Sequence, residues 1–172
     1  MSDRERREAL IQEWLKAHPD PVRGEDLAQK LGVTRQVVVH EIALLRAKGV
    51  PILSTPRGYI LWQNAPSDQR TVISVRHDPE QTREELYTLV DHGLVVANVI
   101  VEHPLYGELV GNLNLRSRRD VDDFCQAVAQ NQAALLSSLT HGYHLHTVAY
   151  RHPEDLEAAV RTMRQRGIEV FD

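Results

Sequence analysis

The sequence of 172 residues has a single cysteine, a net charge of only −4, no apolar run near the length of a bilayer span, no internal repeat and no low-complexity tract. The lone thiol, Cys125, can make neither an internal disulfide nor a thiolate metal cluster, so packing must supply the stability and the expected compartment is the reducing cytosol. A membrane-spanning helix needs about 20 consecutive apolar residues. Met1-Ser2-Asp3-Arg4-Glu5-Arg6-Arg7 leads instead into a charged helical pattern and lacks a signal-peptide core. Neither a membrane protein nor a secreted precursor is expected. At 42% apolar and 26% charged residues, the composition is that of an ordinary soluble chain able to bury a core.

What is present is unevenly distributed. Residues 1–66 carry ten Lys and Arg against eight Asp and Glu, and residues 67–172 carry ten against sixteen, so a +2 segment precedes a −6 segment. Seven of the nine histidines lie in the second. A charge step with histidine enrichment on one side points to two modules with different partners. Gln63-Asn64-Ala65-Pro66-Ser67-Asp68-Gln69-Arg70 is polar and proline-broken, which divides the chain into a module over 1–64, a linker over 65–70 and a module over 71–172.

In the first module, Ser2 and Glu5 form a capping-box start for a helix that carries Leu10, Ile11, Trp14 and Leu15 at helical spacing and ends at His18-Pro19-Asp20-Pro21. A short helix then runs from about Gly24 to Gly32, where the glycine suits a left-handed cap. Thr34 can cap a third helix whose inward positions are Val38, Ile42 and Leu45. Helix, glycine-containing turn and helix is the arrangement of a DNA-reading helix-turn-helix. The outward face of the third helix would show Arg35, Gln36, Val39, His40 and Arg46, types able to reach base edges, phosphates or a thymine methyl. Ile52 to Ser54 and Tyr59 to Trp62 flank Thr55-Pro56-Arg57-Gly58, which predicts a hairpin with Arg57 at its tip, the wing of a winged helix. A charge of +2 is a weak basic signal, and three helices with a hairpin also serve as protein-interaction modules. The ordered pattern over residues 27–46 resembles the biotin-repressor type of winged helix, which favours DNA.

The second module reads as strand, helix, two strands, helix, strand, helix, strand: an α+β arrangement containing the split βαβ of ferredoxin-like sandwiches, with a mostly antiparallel sheet. Residues 94–101 are a near-continuous apolar run, predicting a buried central strand. Ser117 with Asp120 caps a helix in which Val121, Phe124, Cys125 and Val128 point inward, so Cys125 reads as core and not as a nucleophile. Such a sheet leaves one face free for a ligand or a second subunit.

His144 and His146 alternate on a strand, so their side chains share a face, roughly 7 Å apart along the strand. His77 sits at the mouth of the module's first strand. Glu85, on the flank of the helix stripe Leu86, Leu89 and Val90, can look towards the sheet, whereas Glu84 faces away. Three imidazoles and one carboxylate suit zinc, nickel, iron or manganese without ranking them. Asp78 is a candidate acceptor that would orient an imidazole. Each histidine alone is more simply a hydrogen-bonded core or surface residue, and His92, His141 and His152 fall in turns or element ends. Arg116, Arg118 and Arg119 are most simply the exposed opening of a helix, although a carboxylate ligand would welcome one of them.

Glu102-His103-Pro104-Leu105-Tyr106-Gly107-Glu108, Ser117-Arg118-Arg119-Asp120-Val121 and Leu139-Thr140-His141-Gly142-Tyr143-His144-Leu145-His146-Thr147 resemble the three-histidine domain of the nicotinate-responsive transcriptional repressors (NiaR), behind a biotin-repressor-type winged helix. The resemblance spans essentially the whole chain, with Thr34-Arg35-Gln36-Val37-Val38-Val39 and Thr55-Pro56-Arg57-Gly58-Tyr59 fitting the same family. It implies a dimeric, non-enzymatic repressor that shuts off NAD biosynthesis or niacin-uptake genes when nicotinic acid is abundant, with nickel or zinc in the second domain. The ligands it implies are His77, Glu85, His144 and His146, the set reached from geometry. Thr34 and the outward residues of the third helix would then face DNA, and Ser138, Thr140 or Arg118 would receive the carboxylate of nicotinic acid. A metal-sensing repressor, in which the ion itself is the signal, and a mononuclear metallohydrolase fused to an interaction module are the alternatives.

Overall fold

The computed structural model describes residues 1–62 and 69–171, and the chain divides into two compact units, 1–64 and 65–172. Most of the expected linker lies outside the described residues. Its last two positions do not belong to it: the first strand of the second unit begins at Gln69, because Gln69 and Arg70 already pair with Tyr150 and Ala149.

In the first unit, α1 (Asp3–Ala17), α2 (Gly24–Leu31) and α3 (Arg35–Ala47) precede a hairpin of β1 (Ile52–Thr55) and β2 (Gly58–Leu61). The start signals behave as the residue types dictate. The Ser2 hydroxyl accepts from Glu5 N and the Glu5 carboxylate accepts from Ser2 N, while Thr34 accepts from Val37 N. Gly32 takes φ +68 at the end of α2. Ile11, Leu15, Leu27, Val38, Ile42, Leu45 and Ile52 form the core. Fully burying a side chain of this kind contributes about 1.5–3 kcal/mol. Val22 exchanges both backbone hydrogen bonds with Tyr59, adding a third strand position to the hairpin. Gly58 is required there, since a Cβ would meet Val22 O at 2.4 Å.

Two acids of this unit are buried where sequence periodicity gave no warning. Glu41 accepts from the Arg7 guanidinium at 2.8 and 3.1 Å, and Glu8 from Lys48 Nζ at 2.6 Å, so both ion pairs tie α1 to the α3 end of the unit.

The second unit is a five-stranded sheet in the order β5-β4-β6-β3-β7, from β3 (Gln69–Arg76), β4 (Val95–His103), β5 (Gly107–Leu115), β6 (Tyr143–Tyr150) and β7 (Glu169–Phe171). All its described pairings are antiparallel. The crossovers are α4 (Thr82–Asp91), α5 (Arg118–Gln130) and α6 (Pro153–Gln165), and each joins two strands with another strand lying between them. Split βαβ connections therefore recur three times. The apolar run over 94–101 sits second from the edge, with Leu94 and Val96 buried against the helices in one cluster with Val75, Leu86, Leu89, Val121, Val148 and Met163.

The strands are not regular. Between Val96 and Ile100, β4 runs four residues against three of β6, and between Val96 and Asn98 it runs two against three of β5, where Asn114 takes φ +51. These bulges, one in β4 and one in β5, reset which side chains face the helices.

Candidate metal centre

Register places the histidine pair. Val148 belongs to the helix-covered core, and His146 and His144 follow it at two-residue steps along β6, opposite Ile73 and Val75. Both imidazoles therefore lie beneath the helices, 5% and 3% exposed for His144 and His146, not on an outward surface. His77 follows the last paired residue of β3, and Asp78 and Pro79 open a 3₁₀ turn that leads into α4. That turn sets the phase of α4 so that Glu85, 1% exposed, points from its first turn at the sheet. Glu84 stays at the surface near Arg166.

The three rings meet one carboxylate. His77 Nε2 contacts Glu85 Oε2, His144 Nε2 lies 3.2 and 3.3 Å from the two carboxylate oxygens, and His146 Nε2 lies 2.8 Å from Oε1 without hydrogen-bond alignment. His77, Glu85 and His144 each offer one donor atom within 4.8 Å of the others, whereas His146 falls outside that mutual limit. Its ring is nevertheless 4.8 Å from that of His144, edge to face.

The far side of each ring is fixed as well. His77 Nδ1 lies 2.7 Å from Asp78 O, His144 Nδ1 2.8 Å from Gly142 O, and His146 Nδ1 2.8 Å from Asn98 O. A carbonyl oxygen only accepts, so all three Nδ1 atoms carry hydrogen and donate. A neutral ring must then turn its Nε2 lone pair towards Glu85. Three lone pairs and a carboxylate, all acceptors, face one another in a buried space, an arrangement that repels unless positive charge lies among them. Protons on Nε2 or a metal cation satisfy it equally.

Ligands about 2.1 Å from a tetrahedral zinc stand about 3.4 Å apart, close to the 3.2 and 3.3 Å separations of His144 and Glu85. The donor set therefore fits a divalent first-row metal, with Nδ1 hydrogen bonds of the kind that orient ligand imidazoles. Protonation preferences agree. Burial would raise the pKa of Glu85, but the charge of His146 and the hydrogen bonds of His144 and His77 hold it well below the carboxylate range. Burial would lower His77 and His146, yet Glu85 outweighs it and raises both above 6.5.

Comparison with known proteins decides what the site belongs to. A 3H domain matches residues 70–172 and an HTH domain residues 6–60. The chain is 38% identical over 170 residues to Transcription repressor NadR of Bacillus subtilis, covering 97% of this chain and 94% of that one. It is 37% identical over 164 residues to Probable transcription repressor NiaR of Thermotoga maritima, covering 95% and 93%. The chain belongs to the NadR/NiaR repressor family. It is a winged helix-turn-helix followed by a 3H domain, and a transcriptional repressor, not an enzyme. Among the described residues no helix is long and apolar enough to cross a membrane.

In this repressor the outer face of α3 is accessible. Arg35, Gln36, Val39 and His40 are exposed, and Thr34 is occupied as the cap of the helix. Arg35 lies 3.3 Å from Glu25, an exposed pair that contributes little and can be exchanged for a phosphate. Arg46 is exposed as well, and it also makes a contact within the unit. Its Nε donates to Ile52 O at 2.9 Å, fastening the hairpin to α3. Arg57 is half-buried at the hairpin turn, its backbone N–H donating to Thr55 Oγ1.

The residues expected to receive a carboxylate divide. Thr140, with Ser74, Ile100, Glu102, Tyr143 and His144, lines a cavity of about 500 Å³ where β4 and β6 diverge beyond the Ile100–Leu145 pair. Ser138 is exposed on the same 3₁₀ turn, Leu136–Thr140. Arg118 is not brought to this cavity: its guanidinium bonds both oxygens of Asp91 at 2.8 and 2.6 Å and covers the Tyr87 ring. The acceptor for His77 is the backbone carbonyl of Asp78, not its carboxylate. Asp78 O, Asn98 O and Gly142 O were illegible as partners because a carbonyl is common to every residue type. Only the left-handed pair His141 and Gly142 next to two ligands offered a hint.

Proposed function

We propose that this repressor binds operator DNA as a homodimer when a pyridine carboxylate, nicotinic acid, is bound, and so controls genes of NAD biosynthesis or niacin transport. The winged helix over 1–64 would read DNA, and residues 71–172 would carry the sensor. His77, Glu85, His144 and His146 would hold one nickel or zinc ion, which when bound supplies a fixed positive charge and a Lewis-acid position for a pyridine nitrogen. The chain's own part is orientation: three backbone carbonyls aim three imidazoles, and His144 is also among the residues that line a cavity of a size usual for small-molecule sites. Ser138, whose exposed hydroxyl sits on the same turn as Thr140, is the stronger candidate for the carboxylate of the effector, because the one Thr140 hydroxyl proton already goes to Tyr143 O or Ser137 O. Arg118 would have to leave Asp91 first.

The observation that carries this reading is the convergence of three Nδ1-anchored rings on one buried carboxylate. On DNA, Arg35, Gln36, Val39 and His40 would contact the major groove with Thr34 near a phosphate, Arg57 would follow the wing, and Arg46 would contribute by placing it. The burial of all four donors favours a second reading, a repressor for which the metal alone is the signal. Titrating zinc and nicotinic acid separately into an operator-binding assay with metal-free protein separates them. Nicotinic acid should raise operator affinity only when metal is present, by the 5–150-fold that couplings of about 1–3 kcal/mol produce. An unaltered response to nicotinic acid in His144→Ala would remove the metal from the mechanism, and a full response to zinc alone would make the ion the effector.

A further inference from the structure

Gly142 lies against two of the candidate ligands through its backbone. Its carbonyl accepts from His144 Nδ1 at 2.8 Å, its φ is +92, and a Cβ on it would lie 2.5 Å from His77 O and 3.4 Å from His77 C. Its N–H donates to Ser137 O at 2.8 Å, which joins it to the 3₁₀ turn carrying Thr140. Arg76 and Tyr143 are the last residues of β3 and β6 in register, so Gly142 packs on His77 just where the two strands stop pairing.

We infer that Gly142 is a positioning residue that sets the distance between His77 and His144, and that only a residue without a side chain lets the two imidazoles share one ion. A Cβ here cannot be absorbed by a flexible neighbour, because the atom it meets is backbone. The ends of β3 and β6 must separate, and the His77 and His144 rings, now 4.9 Å apart, separate with them. This inference rests on the metal reading given above.

The strain of a left-handed backbone must be told apart from the close approach. Gly93, in the same unit, has φ +83 and open space around its missing Cβ, so Gly93→Ala imposes comparable backbone strain without a collision. Thr140→Val is the milder probe of the turn. It removes a hydroxyl that reaches Tyr143 O and Ser137 O and adds no strain at Gly142.

The experiment uses the full chain, stripped of metal and titrated with Co(II), reading affinity by chelator competition and geometry from the visible d–d spectrum, with circular dichroism to confirm folding. Gly142→Ala should lose about 10- to 100-fold in affinity, the loss typical when a group orienting a ligand is removed, and its spectrum should change, while Gly93→Ala keeps both. Should Gly142→Ala fail to fold, Thr140→Val is expected to give a smaller shift of the same sign. Equal affinity and spectrum in wild type and Gly142→Ala, equal losses in Gly142→Ala and Gly93→Ala, or wild-type values in Thr140→Val where Gly142→Ala does not fold would overturn the inference. A wild-type protein that binds no Co(II) would instead overturn the metal reading beneath it.

Discussion

Metal affinity should depend steeply on pH, and the arrangement around Glu85 sets how steeply. In the metal-free protein, burial disfavours protonation of His77 and His146, but Glu85 outweighs burial and raises both above 6.5. Their Nδ1 atoms already donate to Asp78 O and Asn98 O, so the titrating proton sits on Nε2, the atom a metal needs. Where both of these rings are protonated, each ion must therefore displace their two protons. Each displaced proton is worth about tenfold per pH unit, so affinity should fall about 100-fold per unit. Stability of the metal-free form runs the other way. The raised imidazoles contribute stability that is present below 6.5 and lost as pH rises through their raised values, while the contribution of Glu85 is present above 4.5 and lost as pH falls through its depressed value. Calorimetric titration of zinc over roughly pH 5.5 to 7.5, in buffers of different ionisation enthalpy, measures affinity and proton release together. Glu85→Gln should bind zinc more weakly and release fewer protons per ion. Zinc affinity that stays flat across this range in wild type would refute the reasoning.

Other consequences follow from the winged helix. Gly58→Ala should destabilise the first unit by about 1–3 kcal/mol, because Val22 O lies 2.4 Å from the new Cβ, whereas Gly32→Ala, with nothing within 4 Å, should cost less. Thermal unfolding compares the two, and equal losses would mean that the Val22–Tyr59 bridge is not held by this close approach. Arg7→Ala leaves the buried Glu41 carboxylate without its guanidinium and should cost about 2 kcal/mol in denaturant unfolding, with operator preference unchanged. Arg35→Ala and Gln36→Ala should each weaken operator binding by about 1–3 kcal/mol in fluorescence anisotropy with little change in unfolding. Arg46→Ala should show its main effect in unfolding, since its Nε holds Ile52 O. A reversed pattern would exchange the roles of these arginines.

The legible parts of the sequence are those in which a residue type has one dominant use. Ser2 with Glu5, Thr34, Gly32 and Ser117 mark helix ends because few side chains can satisfy or vacate those backbone positions, and the structure uses each as a cap. The convergence of the candidate quartet is legible for a related reason. Alternation on β6 forces His144 and His146 to one side, and the apolar stripe of α4 singles out Glu85. The direction of that side was less legible. The bulge in β4 leaves no trace in a run where nearly every residue is apolar, so neither the placement of Asn98 O against His146 nor the burial of the pair beneath the helices follows from periodicity. Nothing in the periodicity marks Glu8 and Glu41 as buried, because burial of an acid depends on partners 40 and 34 positions away. Arg118 looked free because Asp91, which holds it, lies on another helix.

The central claim is that His77, Glu85, His144 and His146 hold one cation between them. X-ray absorption spectroscopy of the zinc- or nickel-loaded protein tests it most directly, with His144→Ala and His146→Ala measured alongside. Wild type should show one ion per chain with imidazole scattering from three rings and a carboxylate oxygen in its shell, and each substitution should remove one imidazole or release the ion. A spectrum with water and at most one imidazole, unchanged in both variants, would place the metal on surface histidines and contradict the account.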